Sequence, residues 1–315
     1  MVRVAVLDDY QGIALSMTEW SRLPDGSQVE AFRDHLFDES AIAERLKDFD
    51  VVIGMRERTP FPRSLIERLP NLKLLITTGA RNASFDVTAA KEWGIVVCGT
   101  GGGGPSTAEL TWGLILALVR QIPREDAAIR EGGWQLTIGP TLAGKTLGVI
   151  GLGNLGSQVA TIGRAFKMDV IAWSTNLTRE RAEQFGVTLV TREELLSQAD
   201  IVTIHLVLGD RSRGLIGAKE LALMKPTSYL INTSRGPIVD EKALIEALEA
   251  KRIAGAGLDV YDVEPLPADH PLRRLSNTVV TPHIGYVTSD GYKVMYEHAV
   301  EDILAFLAGS PVRTL

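Results

Sequence analysis

A chain of 315 residues is long enough for about two domains of roughly 150 residues each. Apolar residues make up 45% and charged residues 23%, a globular balance that excludes a disordered or fibrous chain. Lys and Arg number 33 against 39 Asp and Glu, a net charge of −6 with no Lys/Arg block, so a broadly basic nucleic-acid surface is excluded.

Val2–Leu7 reads as the first strand and runs straight into Asp8 and Asp9, which is not a signal-peptide layout. A cytoplasmic location is the expectation. Val51–Gly54, Leu72–Thr77 and Ile95–Cys98 are the next strands. Cys98 is the single cysteine, so neither an intrachain disulfide nor a Cys-based zinc site is expected, and no metal. Residues Gly99 to Pro105 are all Gly or Pro except Thr100. A hinge is expected there rather than a loose tether, because the following Thr107–Leu118 is helical, strongly apolar and expected to be buried between domains. The longest apolar run, Leu110–Val119, is ten residues, half of the roughly 20 that a membrane span needs.

A second series of strands follows: Thr146–Ile150, Asp169–Trp173, Ile201–His205, Tyr229–Asn232, Gly255–Asp259 and Thr278–Thr281. Ser157–Phe166 and Asp240–Ala250 are helices between them, and Gly291–Ala308 is a last helix. Short strands that are apolar on both faces belong in parallel sheets covered by helices. Strand alternating with helix predicts right-handed βαβ units, an α/β fold.

Gly151-Leu-Gly153-Asn154-Leu155-Gly156 follows the strand Thr146–Ile150 and opens the helix after it. In that context G-x-G-x-x-G predicts dinucleotide binding. The first glycine allows the tight turn, the second lets the backbone approach a pyrophosphate, and the third lets helix and strand pack closely. An acid for the ribose 2′-OH is expected about 20 residues on. Instead the chain reads Ser174-Thr175-Asn176, with Arg179 nearby. A carboxylate would repel a 2′-phosphate, whereas these residues tolerate one, so NADP is expected to be accepted as well as NAD. The alternative is that Ser174 or backbone groups hold NAD. Gly139–Thr146 also matches the P-loop letters G-x-x-x-x-G-K-[ST], but it ends in a strand where a working P-loop opens a helix. No nucleoside triphosphatase is expected.

Three segments after later strands carry reactive side chains: Asn232-Thr-Ser-Arg235-Gly, Asp259 to Glu264-Pro, and Thr281-Pro-His283-Ile-Gly285. In open α/β sheets ligands bind outside the carboxyl ends of strands, so all three can face one crevice. Reducing a 2-keto acid needs a proton at the carbonyl oxygen. Histidine, with a reference pKa of about 6.5, can carry it. A neighbouring carboxylate favours the imidazolium form and fixes the ring, and an arginine can grip the substrate carboxylate.

With these segments in their order and spacing, the chain resembles the D-isomer-specific 2-hydroxyacid dehydrogenases over nearly its whole length. The resemblance implies two Rossmann-like, doubly wound parallel-sheet domains with a cleft between them. It implies a discontinuous substrate domain, 1–98 plus 292–315, and a dinucleotide-binding domain, 99–291. It implies that Arg235 binds substrate, His283 is the acid/base and Glu264 its partner. Asp259 is implied to hold the nicotinamide carboxamide, with Thr107, Thr233 and Gly285 near the cofactor. A homodimer built on the cofactor domains is also implied, with the arm Glu125–Gln135 and Trp134 facing the partner.

Two places depart from the family pattern. Val207 stands where a proline usually follows His205, and His205 reads as structural or cofactor-adjacent. The turn expected to cradle the substrate carboxylate reads Thr77-Thr-Gly79-Ala80-Arg81-Asn82, bulkier than the family's. Arg56, Arg58 and Arg81 lie at strand ends, and one of them is expected to take a second anionic group; Arg81 is favoured because its turn matches a pocket-lining one. The competing reading is surface arginines paired with Glu57. The expected activity is hydride transfer between NAD or NADP and a small D-2-hydroxy acid or 2-keto acid of the hydroxypyruvate, glyoxylate or 3-phosphoglycerate class. A formate-type dehydrogenase fits the Arg-Glu-His set less well. The alternative from another class is an NAD(H)-sensing binding protein of the same fold.

Overall fold

The computed structural model describes residues 1–102 and 104–315; Gly103, within the expected hinge, lies outside the described residues. The chain divides into two compact units, Met1–Gly104 with Tyr286–Leu315, and Pro105–Gly285.

The first unit opens with strands β1 (Arg3–Val6), β2 (Gln28–Ala31), β3 (Val51–Gly54), β4 (Leu74–Thr77) and β5 (Val96–Gly99), and helices α1 (Glu39–Leu46), α2 (Arg63–Ile66) and α3 (Val87–Glu92). All strands are parallel, in the order β2-β1-β3-β4-β5. Successive residues of β1 serve opposite cores. Val4 and Val6 join one cluster and Ala5 the other, as expected for a sheet covered on both faces. The strand β2 was not expected from the sequence. Its Gln-Val-Glu-Ala is partly polar and lies at the sheet edge, so it lacks the apolar signature of a buried strand.

The second unit contains helices α4 (Ser106–Val119) and α5 (Ile122–Arg130), strand β6 (Thr146–Ile150), α6 (Asn154–Ala165), β7 (Asp169–Trp173), α7 (Arg179–Gln184) and β8 (Thr188–Leu189). It continues with α8 (Arg192–Gln198), β9 (Ile201–Ile204), α9 (Ala218–Leu223), β10 (Tyr229–Asn232), α10 (Glu241–Glu249), β11 (Gly255–Leu258) and β12 (Thr278–Val280). Its seven parallel strands run β12-β11-β10-β9-β6-β7-β8. The strands expected to reach His205, Asp259 and Thr281 end one residue earlier, which puts those side chains just past the carboxyl ends. The two-residue β8 is too short for its sequence to announce.

The apolar helix α4, expected between domains, packs on the second unit's own sheet. Trp112, Leu114, Ile115 and Leu118 share a core with Leu147, Val149 and Ile231. The close approach depends on glycines in β11: a Cβ on Gly257 would lie 3.2 Å from Leu114 Cβ. The P-loop look-alike ends at Thr146, which begins β6, so no helix N-terminus faces it. The chain then returns to the first unit through α11 (Ser289–Leu307). Tyr292, Met295 and Tyr296 are fully buried against Val4, Ile53 and Ile76. Each such side chain is worth about 1.5–3 kcal/mol of burial, which is why this distant segment belongs to the N-terminal fold. Among the described residues no helix is long and apolar enough to cross a membrane.

Candidate active site

The second sheet reverses its order between β6 and β9, the place where an open α/β sheet leaves a crevice at its carboxyl edge. The glycine fingerprint lies at that edge. Gly151 has φ +96°, and a Cβ there would come 2.4 Å from the His205 carbonyl oxygen. A Cβ on Gly156 would come 1.9 Å from the Gly151 carbonyl oxygen. A Cβ on Gly153 would meet nothing within 4 Å, so the space above the turn is open. No side chain caps α6, and its first turn holds no acid. Asn154 and Leu155 therefore present backbone N–H groups at a positive helix end, a cradle that fits a pyrophosphate.

Beside the fingerprint, a hollow of about 510 Å³ is lined by Ser174, Thr175, Asn176, Leu206, Val207 and Arg211. Val207 is 90% exposed, an apolar side chain presented to that hollow. A second hollow, about 640 Å³, adjoins it at Trp173 and Ser174 and also takes in Arg179 and Arg192. Glu193 and Glu194 line it too, and Arg192 is paired with Glu193 at 3.2 Å and with Glu220 at 3.4 Å. The sequence reasoning did not single out Leu206, Val207 or Arg192. His205 pairs through Nε2 with Thr203 Oγ1 at 2.9 Å, while its buried Nδ1 has no hydrogen-bond partner. Burial pushes this imidazole down to about 4, so it is neutral at pH 7.

The neighbouring strands β12, β11 and β10 bring up the three reactive segments. His283 Nδ1 lies 2.5 Å from Glu264 Oε2. Glu264 Oε1 accepts from the Tyr261 N–H at 2.9 Å, which holds the carboxylate from behind. His283 sits at φ +53°, in the sparsely populated left-handed region, a mark of a backbone held in place by its surroundings. What holds it is Asp259, 1% exposed. Its Oδ1 accepts from Thr281 Oγ1 (2.6 Å) and the Ile284 N–H (2.8 Å), and its Oδ2 from the Gly285 N–H (2.8 Å). Burial pushes the Asp259 carboxyl up against these donors. The Tyr261 hydroxyl donates to the Thr281 carbonyl oxygen at 2.9 Å, and Thr107 Oγ1 to the Gly285 carbonyl oxygen at 3.0 Å.

Arg235 leaves the end of β10 in an extended conformation, with Nη1 donating to the Ser234 carbonyl oxygen at 2.7 Å. Asn232 ties the turn: its Nδ2 donates to the Arg235 carbonyl oxygen and its Oδ1 accepts from the Ser234 N–H, both at 3.0 Å. Thr233 Oγ1 lies 2.9 Å from Thr111 Oγ1 on α4. The structure thus brings Glu264 and His283 into contact and sets Arg235 at the end of the adjacent strand. Among the described residues no group of three or more His, Cys, Asp or Glu could hold a metal ion.

In the first unit, the turn after β4 carries Gly79 at φ +124°, its N–H donating to Thr100 Oγ1 at 2.8 Å. Arg56, also left-handed at φ +54°, lies over this turn: a Cβ on Gly79 would come 2.0 Å from Arg56 Nη1. Arg56 Nε reaches Glu57 only at 3.9 Å. Arg81 is exposed, and Ala80 beside it is exposed as well. Asn82 is buried and ties the loops together, its Nδ2 donating to Thr77 Oγ1 at 2.9 Å and its Oδ1 accepting from Ser84. The guanidiniums of Arg56 and Arg58 lie over the Tyr286 ring at 5.6 and 5.7 Å, and that of Arg58 also over Tyr10 at 4.7 Å. The tyrosines were not anticipated. The rule used for the second sheet, applied to the residues after Val6 and Gly54, would have pointed to this edge.

A family profile described as D-isomer specific 2-hydroxyacid dehydrogenase, NAD binding domain, matches residues 112–285. The D-3-phosphoglycerate dehydrogenase of Methanocaldococcus jannaschii is 38% identical over 98% of this chain and 58% of its own. The glyoxylate reductase of Aeropyrum pernix is 40% identical over 78% of this chain and 76% of its own. The chain spans about half the length of several D-3-phosphoglycerate dehydrogenases it matches, 50% for that of Archaeoglobus fulgidus. The crystal structure of a phosphoglycerate oxidoreductase from Vibrio cholerae O395 superposes with a TM-score of 0.93 at 36% identity, covering 98% of this chain and 100% of that one.

Proposed function

This chain belongs to the D-isomer-specific 2-hydroxyacid dehydrogenase family, and from that premise we propose that it interconverts a small D-2-hydroxy acid and its 2-keto acid. The observation that carries the proposal is the His283–Glu264 pair, 2.5 Å apart at the carboxyl edge of the sheet that bears the glycine fingerprint. A bound nicotinamide dinucleotide supplies or accepts the hydride at the substrate carbon. Because Nδ1 of His283 is turned to Glu264, proton transfer falls to Nε2, which gives a proton to the carbonyl oxygen in reduction and takes it back in oxidation. Arg235 grips the substrate carboxylate and polarises the carbonyl. Asp259 keeps the 281–285 loop in its left-handed shape. Three hydrogen bonds leave its carboxylate acceptor capacity for the nicotinamide carboxamide.

Ser174 with Arg179 supports acceptance of NADP alongside NAD, while Arg192 is paired with Glu193 and Glu220. In the first unit the Gly79 N–H is given to Thr100 Oγ1, which leaves the Ala80 N–H as the backbone donor of that turn for a substrate carboxylate. Arg56 and Arg58 take a second anionic group, such as a phosphate or distal carboxylate; their placement supports them above the exposed Arg81. Exposed Ile122, Ile129, Trp134, Leu136 and Ile138 form an apolar arm that supports a homodimer, to be checked by sedimentation.

The test is a panel of 2-keto acids run with NADH and with NADPH, followed by absorbance at about 340 nm on wild type and His283→Ala. The variant should lose kcat by about 10²–10⁴-fold while dinucleotide binding persists. Unchanged turnover would refute the assignment, and strict NAD dependence would remove the NADP part.

A further inference from the structure

The first sheet also has a switch in strand order, between β1 and β3, the place where an open α/β sheet offers a ligand its carboxyl edge. The residues that leave those strands are Asp8, Asp9 and Tyr10 on one side and Arg56, Glu57 and Arg58 on the other. Two of them are strained. Asp8 has φ +57° and Arg56 +54°, conformations that are unfavourable for residues with side chains and persist only where the surroundings insist on them.

At Asp8 the surroundings are specific. Its side chain is 1% exposed and that of His35 is 7% exposed, with His35 Nδ1 lying 2.8 Å from Asp8 Oδ1. Asp8 Oδ2 accepts from Thr59 Oγ1 at 2.8 Å, and Tyr10 Oη donates to Asp8 Oδ1 at 3.5 Å. Asp9 is committed elsewhere: its two oxygens accept from the N–H groups of Ile13 and Ala14. Arg58 lies in the field of Asp8 and stacks on Tyr10, so the aspartate acts on that guanidinium both by charge and through the tyrosine. A buried carboxylate beside an anion-binding arginine weakens it. A histidine on the carboxylate's other face makes that weakening adjustable.

We propose that Asp8 and His35 form a proton-linked pair that sets how strongly Arg56 and Arg58 hold a second anionic group of the substrate. With His35 neutral, the Asp8 charge is spent on the arginine edge. With His35 protonated, Asp8 is matched by the imidazolium and the arginine field is left for the ligand. Affinity for dianionic substrates then rises as pH falls, while that for monoanionic ones does not. The other charges around His35 do not supply this. Asp34, next to it in the chain, is held by Arg45 at 3.0 and 2.6 Å, and Asp9 is bound to backbone. Glu57 neighbours Arg56, and Tyr10 and Tyr292 are raised above the ordinary phenol range by burial. His35 and Asp8 are positioning residues here, since neither is assigned contact with the reacting atoms.

The inference rests on the anion-site reading above, and the experiment separates the two. Steady-state kinetics would compare a 2-keto dicarboxylate with glyoxylate from about pH 8 to about pH 6, across the range in which histidine titrates. In wild type, KM for the dicarboxylate should fall on the order of fivefold or more towards the lower pH, with KM for glyoxylate nearly constant. His35→Gln should keep kcat on glyoxylate and hold the dicarboxylate KM at its high-pH value throughout. If Arg58→Met leaves the dicarboxylate KM unchanged, the anion-site reading falls and this inference with it. If Arg58→Met raises that KM but His35→Gln retains the wild-type pH dependence, only this inference falls. A measurement on wild type alone serves if the histidine variant does not fold. By reciprocity, succinate binding must draw a proton onto the protein, read as a buffer-dependent heat of binding, and acetate must not. Absence of proton uptake with succinate overturns the proposal.

Discussion

Single residues in this chain act through the backbone that presents them. His283 is held at φ +53° because Asp259 accepts three hydrogen bonds from the 281–285 loop. Glu264 likewise depends on the Tyr261 N–H. The pair acts as a unit, and its free energies should not add. Glu264→Gln should lower kcat on its own, yet cost little in a His283→Ala background, because the proposed proton carrier it orients is gone. A double-mutant cycle on kcat/KM checks this; strictly additive losses would mean that Glu264 works on something other than His283. These residue types and their order were legible in the sequence. The Asp8–His35 contact was not, because it joins residues 27 apart through the path of a loop.

At the scale of elements, the short strands were legible because each is apolar on both faces, while the short helix α8 went unnamed although its start is signed. Asp240 caps α10 by accepting from the Ala243 N–H, and Thr191 with Glu194 forms a capping box on α8. Where a strand is polar, as in β2, or two residues long, as in β8, that signal fails. The turn from β6 into α6 makes the sharpest prediction at this scale. Gly156→Ala would place a methyl 1.9 Å from the Gly151 carbonyl oxygen, against backbone that cannot yield cheaply. The variant should lose dinucleotide binding and lower Tm. Gly153→Ala meets no protein atom, so it should leave Tm nearly unchanged and weaken only the dinucleotide, through lost space for the pyrophosphate. Thermal melts with and without NADH distinguish the two.

For the whole molecule, pH also acts on stability, through a carboxyl buried in the first unit. Asp302, on α11, is fully buried, donates nothing and accepts from Arg313 Nε at 3.0 Å, with its other oxygen unmatched. Burial raises this carboxyl to about 6, against the lowering by Arg313. The folded state therefore holds a proton that the unfolded chain, at about 3.9, has released. This contribution is fully present below about pH 4 and is lost as pH rises through 6. Asp302→Asn should thus gain stability relative to wild type as pH rises across that window, read as the difference in urea midpoints. A constant difference would exclude the linkage. The same segment carries the final residues onto β5, where the Leu315 N–H donates to the Val97 carbonyl oxygen.

Local physics decided what the linear code could carry. Apolar runs of four to six residues make parallel strands, glycine spacing after a strand makes a tight turn into a helix, and Ser174 stands where an acid is expected, all within a few residues of chain. Which strand lies beside which is a property of the folded sheet, and it determines the rest. Only the order β12-β11-β10 puts His283, Glu264 and Arg235 on neighbouring strand ends, and only the fold lays Arg56 rather than Arg81 over Gly79. Those contacts join loops whose shapes come from packing and from buried hydrogen bonds, and no single segment encodes them.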